Sequence, residues 1–256
     1  MKSELKTITP EFAKELLKRN IANRHVTTAN VDRIADDILN GRWHVNGQTV
    51  IYNDYRLLDG QHRLLACVKA GIPIKSFVVE GVDNDEFPTI DSGKSRTGSD
   101  VLAITGHKYS AAKSTALILI EAYMTGKIIS IPSYSNSKII ELSEKYAGLN
   151  DSITMCQNTK KIIPTSQLAA FHYLFSKIDK DAADKFVEDL IKGTNLKVDD
   201  PVYLLRERLM NNLFSKSKLH RKHIIALVIK AWNGRRRRKP CKRLVWADNE
   251  SFPVIE

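Results

Sequence analysis

From Arg208 to Ala247 the chain has no aspartate and no glutamate. Thirteen lysines and arginines fall in that span, more than the net charge of +11 of the whole chain, so the remainder is slightly acidic. A segment of this kind suits a polyanion, and nucleic acid is the commonest one. A solvated basic face or a disordered tail has the same composition.

Other shortages narrow the class. No apolar run reaches the roughly 18 residues that a membrane helix needs, so no membrane partner is expected. The start, Met1-Lys2-Ser3-Glu4-Leu5-Lys6, lacks the apolar centre of a signal peptide. Only three cysteines occur, Cys67, Cys156 and Cys241; their odd number and wide spacing fit neither a disulfide framework nor a zinc site. Together these features predict a cytoplasmic protein. Apolar residues make up 43% of the 256, enough for a folded core, and the length allows one large domain or two small ones.

Local patterns divide the chain. Thr9-Pro10-Glu11 reads as a helix start, with the helix running to about Asn20. A second helix is predicted over Thr28–Leu39, with Val31, Ile34, Ala35 and Ile38 on one face and Gly41 as its end. Gln48–Tyr52 reads as a strand, Asn53-Asp54 as a turn and Arg56–Leu58 as a short return strand. A helix follows from Gln61 to Ala70, with Leu64, Leu65, Cys67 and Val68 inward and Gly71 as its stop; Ile74–Glu80 is another strand. Beyond residue 100, apolar residues recur at helical spacing over 111–124, 137–146, 166–178, 182–191, 202–214 and 220–232. Leu244 to Pro253 reads as strand or extended chain packed on these helices. The fold class is therefore α+β: a small domain over residues 1–105, then an all-α domain over 106–256. No internal repeat is seen, and dimerisation of the helical half stays open.

The segment richest in chemistry is Asp59-Gly60-Gln61-His62-Arg63. A strand stops at Asp59, Gly60 permits a sharp turn, and a helix starts at once. The first amides of a helix have no intrahelical acceptor and carry partial positive charge, so an anion is favoured there. His62 and Arg63 would add donors. The alternative is a capped helix in which Arg63 pairs with a carboxylate and His62 is a surface residue.

Asp59-Gly60-Gln61-His62-Arg63-Leu64-Leu65-Ala66, behind a short strand and ahead of Ala70-Gly71-Ile72-Pro73-Ile74, resembles the ParB/sulfiredoxin superfamily, in particular its nuclease-like branch. Gly41-Arg42-Trp43 followed by Gln48–Tyr52 looks like the family's lead-in, and the likeness covers about Thr27 to Ser99. It implies a ParB/sulfiredoxin-like domain that binds a nucleoside triphosphate, ATP or CTP, with Mg²⁺. Gly60, Gln61, His62 and Arg63 would touch phosphates, and Asp59 would hold the metal or orient Arg63. The family's uses of the site include CTP-gated DNA clamping, phosphoryl transfer and nuclease action. The partition-type Gly-Glu-Arg-Arg form is absent, and Gln61 stands where a sulfiredoxin has its cysteine; both depart from those two branches.

Gly93-Lys94-Ser95 is not a P-loop, because Pro88 stands where the first glycine belongs. The loop still offers Lys94, Ser95 and Arg96 to phosphates and Asp91 to Mg²⁺; an ordinary basic linker is the alternative. Among Trp43, His44, Asn46 and Gln48, one could meet a base or a reacting hydroxyl. Glu80 and Asp83 are candidate general bases. His220 and His223 share a helix face without a third metal ligand, which favours phosphate contact over metal. Arg221, Lys222, Arg235, Arg236, Arg237, Arg238, Lys239, Lys242 and Arg243 are the candidate DNA contacts, expected to be salt-sensitive and sequence-neutral. The stretch from Lys230 to Pro253 also looks like the tail of phage- and plasmid-borne ParB-like proteins.

Three functions follow as expectations: a nucleotide-dependent DNA-binding protein that hydrolyses NTP or cuts DNA, with catalytic roles on Asp59, His62, Arg63 and Glu80; a kinase-like phosphotransferase acting on a small hydroxyl or a modified base; and a non-catalytic DNA-binding regulator.

Overall fold

The computed structural model describes all residues except 22, 24, 91–95, 160, 161 and 239, and the side chains of 87–89. The protein is α+β, with a four-stranded mixed sheet and eleven α-helices among the described residues. It divides into two compact units: Met1–Thr97 with Pro132–Lys138, and Gly98–Ile131 with Ile139–Glu256. The first change of unit along the chain comes at 97/98. The first unit is not one continuous stretch, because a short later segment returns to it.

In the first unit the strands are β1 (Lys2–Ile8), β2 (Thr49–Tyr52), β3 (Leu57–Asp59) and β4 (Ile74–Glu80), in the order β1-β4-β2-β3. The helices are α1 (Pro10–Lys18), α2 (Thr28–Leu39) and α3 (Gln61–Ala70). β2 pairs antiparallel with β3 but parallel with β4. A parallel pairing requires a crossover, which α3 supplies. Thr9 caps α1, its hydroxyl oxygen accepting the amide of Phe12 at 3.2 Å, with Pro10 in the first turn. Ile8, Val50, Tyr52, Ile74 and Val78 from the sheet share one core with Ala13, Leu16, Val31, Ile34, Ile38, Leu64 and Cys67 from the helices. The opposite sheet face leaves Leu5 and Phe77, register partners across β1 and β4, exposed.

β1 is one of the elements that residue patterns miss. Of its residues only Ile8 is buried, so there is no run of inward apolar positions to betray it. Its pairing with β4 along the whole strand creates it.

The second unit holds α4 (Gly98–Ile104), α5 (Ser110–Met124), α7 (Leu149–Met155), α8 (Thr165–Ser176), α9 (Lys180–Lys192), α10 (Pro201–Phe214), α11 (Arg221–Arg236), and all of α6 (Asn136–Lys145) beyond its first three residues. Along α8 every residue from Leu168 to Tyr173, and Phe175, is buried, and α5, α7, α9 and α11 pack on it. Phe175 stacks on Trp232 of α11 with ring centroids 4.3 Å apart, and Phe186 meets both rings edge-on. His172 lies inside this core. Its Nε2–H donates to Asp184 Oδ1 at 2.9 Å, because an ionised carboxylate can only accept, and its Nδ1 accepts the Ser152 hydroxyl at 3.0 Å. The C-terminal stretch is extended chain rather than strand: Trp232 Nε1 donates to the Glu256 carbonyl at 2.9 Å and Asn233 Nδ2 to that of Val254 at 2.7 Å. Among the described residues no helix is long and apolar enough to cross a membrane.

Candidate functional site

A cavity of about 620 Å³ opens within the first unit, in the size range of small-molecule sites. Asp59, Gly60, Gln61, His62 and Arg63 form one wall at the start of α3; Asn30, Arg33 and Asp37 come from α2; Arg42 to Thr49 supply the lead-in to β2; and Ser135, Asn136 and Ser137 come from the returning segment.

The strand–turn–helix junction forms for a steric reason. Gly60 has φ +103°, and a Cβ there would stand 3.0 Å from Val50 Cγ2. Glycine therefore meets both a left-handed turn and a close approach to β2. No side chain caps α3.

Arg63 reaches back across the junction. Its Nη2 donates to Asp59 Oδ2 at 2.6 Å and also to the Thr49 carbonyl, and Nη1 meets Gln48 Oε1 at 3.4 Å. Its side chain is only 14% exposed, and Nε is buried with no acceptor. Asp59 therefore orients Arg63, the second of the two roles considered for it. The alternative that paired Arg63 with a carboxylate is the arrangement found. His62 is not a surface residue: it is buried, and its Nε2 accepts the Thr27 amide at 3.1 Å. Gln61 is buried too, with Oε1 accepting from Asn20 Nδ2 at 3.2 Å. Both side chains brace the segment leading into α2.

A second network joins other lining residues. Asp37 Oδ1 accepts from Arg42 Nε at 2.9 Å and from the Ser135 hydroxyl at 2.6 Å, while Ser135 Oγ accepts the Lys138 amide at 3.1 Å. Arg42 also pairs with Asp36. Asn136 Nδ2 donates to the Arg96 carbonyl at 3.0 Å. Arg96 itself is exposed, and Ile90, at the other end of its loop, lines the cavity. Asp91, Lys94 and Ser95 lie outside the described residues.

Arg33 was missed by residue reasoning. It lines the cavity half-buried, and its one hydrogen bond goes to Asn30 Oδ1 at 2.6 Å, with no carboxylate partner among the described residues. An arginine on a half-exposed helix face carries no local signal; it stands out only once the neighbouring arginines are seen to be paired.

Glu80 is not brought to the cavity. It ends β4 opposite Tyr52, whose phenol burial pushes up in pKa, with Glu80 as a hydrogen-bonding neighbour. Asp83 is exposed and does not line it either. Trp43 and His44 do line it; the Trp43 indole N–H is held by the Lys75 carbonyl at 2.9 Å. Among the described residues no cluster of three or more His, Cys, Asp or Glu could hold a metal ion.

In the second unit the acid-free span meets acid from elsewhere. Lys222 pairs with Asp248 at 2.7 Å, Lys230 with Glu250 at 2.6 Å, Arg235 with Asp189 at 2.5 Å, and Arg237 with Glu256. Of the candidate DNA contacts, Arg221, Arg236, Arg237, Arg238, Lys242 and Arg243 are exposed. Arg236 lies over the Trp232 ring, 5.4 Å from its centroid. Lys239 lies outside the described residues. The arginine run is not a loose tail: α11 continues through Arg235 and Arg236. His220 caps that helix, its Nδ1 accepting the Lys222 amide at 3.4 Å, and His223 faces Asp248 at 3.4 Å.

Comparison of the chain with protein-family models, with curated proteins and with solved structures found no match in any of the three.

Proposed function

We propose that the protein binds a nucleoside triphosphate in the cavity of its first unit and binds DNA through the basic surface of its second, as a member of the ParB/sulfiredoxin superfamily. One observation carries this reading: three guanidinium groups, those of Arg33, Arg42 and Arg63, line a polar cavity together with the Asp59–Arg63 turn. A guanidinium with donors left over can hold phosphate oxygens by charge-assisted bonds. Arg33 and Asn136 line it from α2 and from the returning segment. Mg²⁺, when bound with the nucleotide, would neutralise phosphate charge; Asp59, its expected ligand with a described position, has Oδ2 taken by Arg63 and is not a ready-made metal site.

Nucleotide binding is the part of the reading that geometry favours; hydrolysis and DNA cleavage are weaker. Among the described residues both carboxylates that line the cavity, Asp37 and Asp59, are engaged by arginines and serine, so neither of these two is poised as a general base. That arrangement favours, as the second reading, a regulator in which the nucleotide controls DNA binding without being consumed. The kinase-like reading relied on Glu80, which does not line the cavity.

The test is a thermal-shift panel of ATP, CTP, GTP and ADP with Mg²⁺. A ligand that binds the folded state must raise the melting temperature. At least one nucleotide should do so, and phosphate release with and without DNA then separates an NTPase from a regulator. A flat panel would contradict the nucleotide reading.

A further inference from the structure

The arginines at the cavity are not equivalent. Arg63 is committed to Asp59, the Thr49 carbonyl and Gln48, and Arg42 to Asp36 and Asp37. Their charges are met by carboxylates within the fold. Among the described residues the Arg33 guanidinium has only the Asn30 side-chain oxygen. That single bond, from a residue one helical turn earlier, holds one Nη and leaves most of the five N–H donors of the guanidinium unused by protein atoms among the described residues. Unengaged guanidinium donors at the wall of a polar cavity suit an anion. Among the described residues Arg33 is thus the lining arginine whose guanidinium no carboxylate engages, although Arg33, Arg42 and Arg63 are balanced in formal charge by Asp36, Asp37 and Asp59.

Resting on the nucleotide reading, we propose that Arg33 is the residue that grips the phosphate chain of the ligand, and that Arg63 is a positioning residue that braces the β2–α3 junction without carrying the main phosphate contact. The ligand class is a pyrophosphate-containing ester, whose paired oxygens match the planar guanidinium fork. Asn136 and Ser137, lining the same cavity from the returning segment, are the polar groups that complete its surroundings. The assignment reverses the expectation drawn from the Asp-Gly-Gln-His-Arg motif alone, in which Arg63 held the phosphates.

The experiment compares wild type, Arg33→Gln, Arg33→Lys and Arg63→Gln by calorimetric titration with Mg²⁺-pyrophosphate, with ATP and CTP, and with a 5′-phosphorylated dinucleotide. Melting temperatures of the ligand-free proteins are measured alongside. Arg33→Gln should weaken binding by about tenfold or more without lowering the melting temperature, and Arg33→Lys should lose part of the affinity because the fork is gone. Arg63→Gln should lower the melting temperature and weaken binding less than Arg33→Gln. Wild-type affinity in both Arg33 variants, or a greater affinity loss in Arg63→Gln, would overturn the proposal. Binding of pyrophosphate but of no nucleotide, lost in Arg33→Gln, would leave this assignment standing and remove the nucleotide reading. Tighter binding of the dinucleotide than of ATP or CTP would make the phosphate that of a DNA end. No binding of any probe by wild type would overturn both.

Discussion

Arg63 and Asp59 form an ion pair across the first turn of α3, 2.6 Å from Nη2 to Oδ2, with the two side chains 14% and 22% exposed. The pair joins the end of β3 to the helix that begins two residues later. It explains why the motif holds its shape whatever it binds. Removing one partner leaves a poorly hydrated charge, so Asp59→Asn should cost about 1–3 kcal/mol in urea denaturation. Asp59→Leu with Arg63→Met should cost less than the two single changes added together, because no orphan charge remains.

Gly60 fixes the same junction by sterics. Gly60→Ala must adopt φ +103° with its Cβ 3.0 Å from the Val50 side chain. The expected loss is about 2 kcal/mol from the backbone conformation and the close approach together. Adding Val50→Ala should not restore it fully, since Val50 Cα is itself 3.3 Å from that Cβ and the φ penalty persists.

His172 predicts a pH dependence. Burial is the main cause that holds its pKa below the ordinary 6.5, against the hydrogen bond from its ring to Asp184. Above pH 6.5 both folded and unfolded chains are neutral at this ring, and it contributes no slope. As pH falls below 6.5 the unfolded chain takes up a proton that the folded chain resists, so stability declines by up to about 1.4 kcal/mol per pH unit until the lowered folded value is reached. His107, also lowered by burial and then by Lys113, acts in the same direction. Urea midpoints between pH 5 and pH 8 should therefore fall on the acid side, and the slope should be shallower in His172→Gln. An unchanged slope would place the titration elsewhere.

How much of this was legible depends on range. The buried face of α2, Val31, Ile34, Ala35 and Ile38, follows from 3.6-residue periodicity, and the cap at Thr9-Pro10 from local chemistry. The turn at Gly60 was readable because strand, glycine and helix adjoin in sequence. β1 was not, because what makes it a strand is its partner β4. Arg33 was not, because its significance depends on where Asp36, Asp37 and Asp59 direct their oxygens. The pairing of Arg235 was out of reach for the same reason: Asp189 is far from it in sequence but 2.5 Å away in the fold.

That last pair separates stability from DNA binding. Asp189 is 8% exposed and also takes Lys185 at 2.8 Å, so Arg235→Gln should lower stability by about 1–2 kcal/mol with little effect on DNA retention. The triple variant Arg238→Gln, Lys242→Gln, Arg243→Gln, at exposed positions, should leave the melting temperature unchanged. It should make the salt dependence of DNA affinity shallower by about 0.9 in log–log slope for each phosphate that is no longer neutralised. Equal slopes for wild type and the triple variant would remove this surface as the DNA-binding face.

Hydrogen–deuterium exchange with and without Mg²⁺-ATP and Mg²⁺-CTP tests the central claim most directly, since it reports where a ligand binds as well as whether it does. The account predicts that at least one nucleotide slows exchange at the start of α3, around Gly60 to Leu64, and along α2 near Arg33. Unchanged exchange at both places with saturating nucleotide would contradict it.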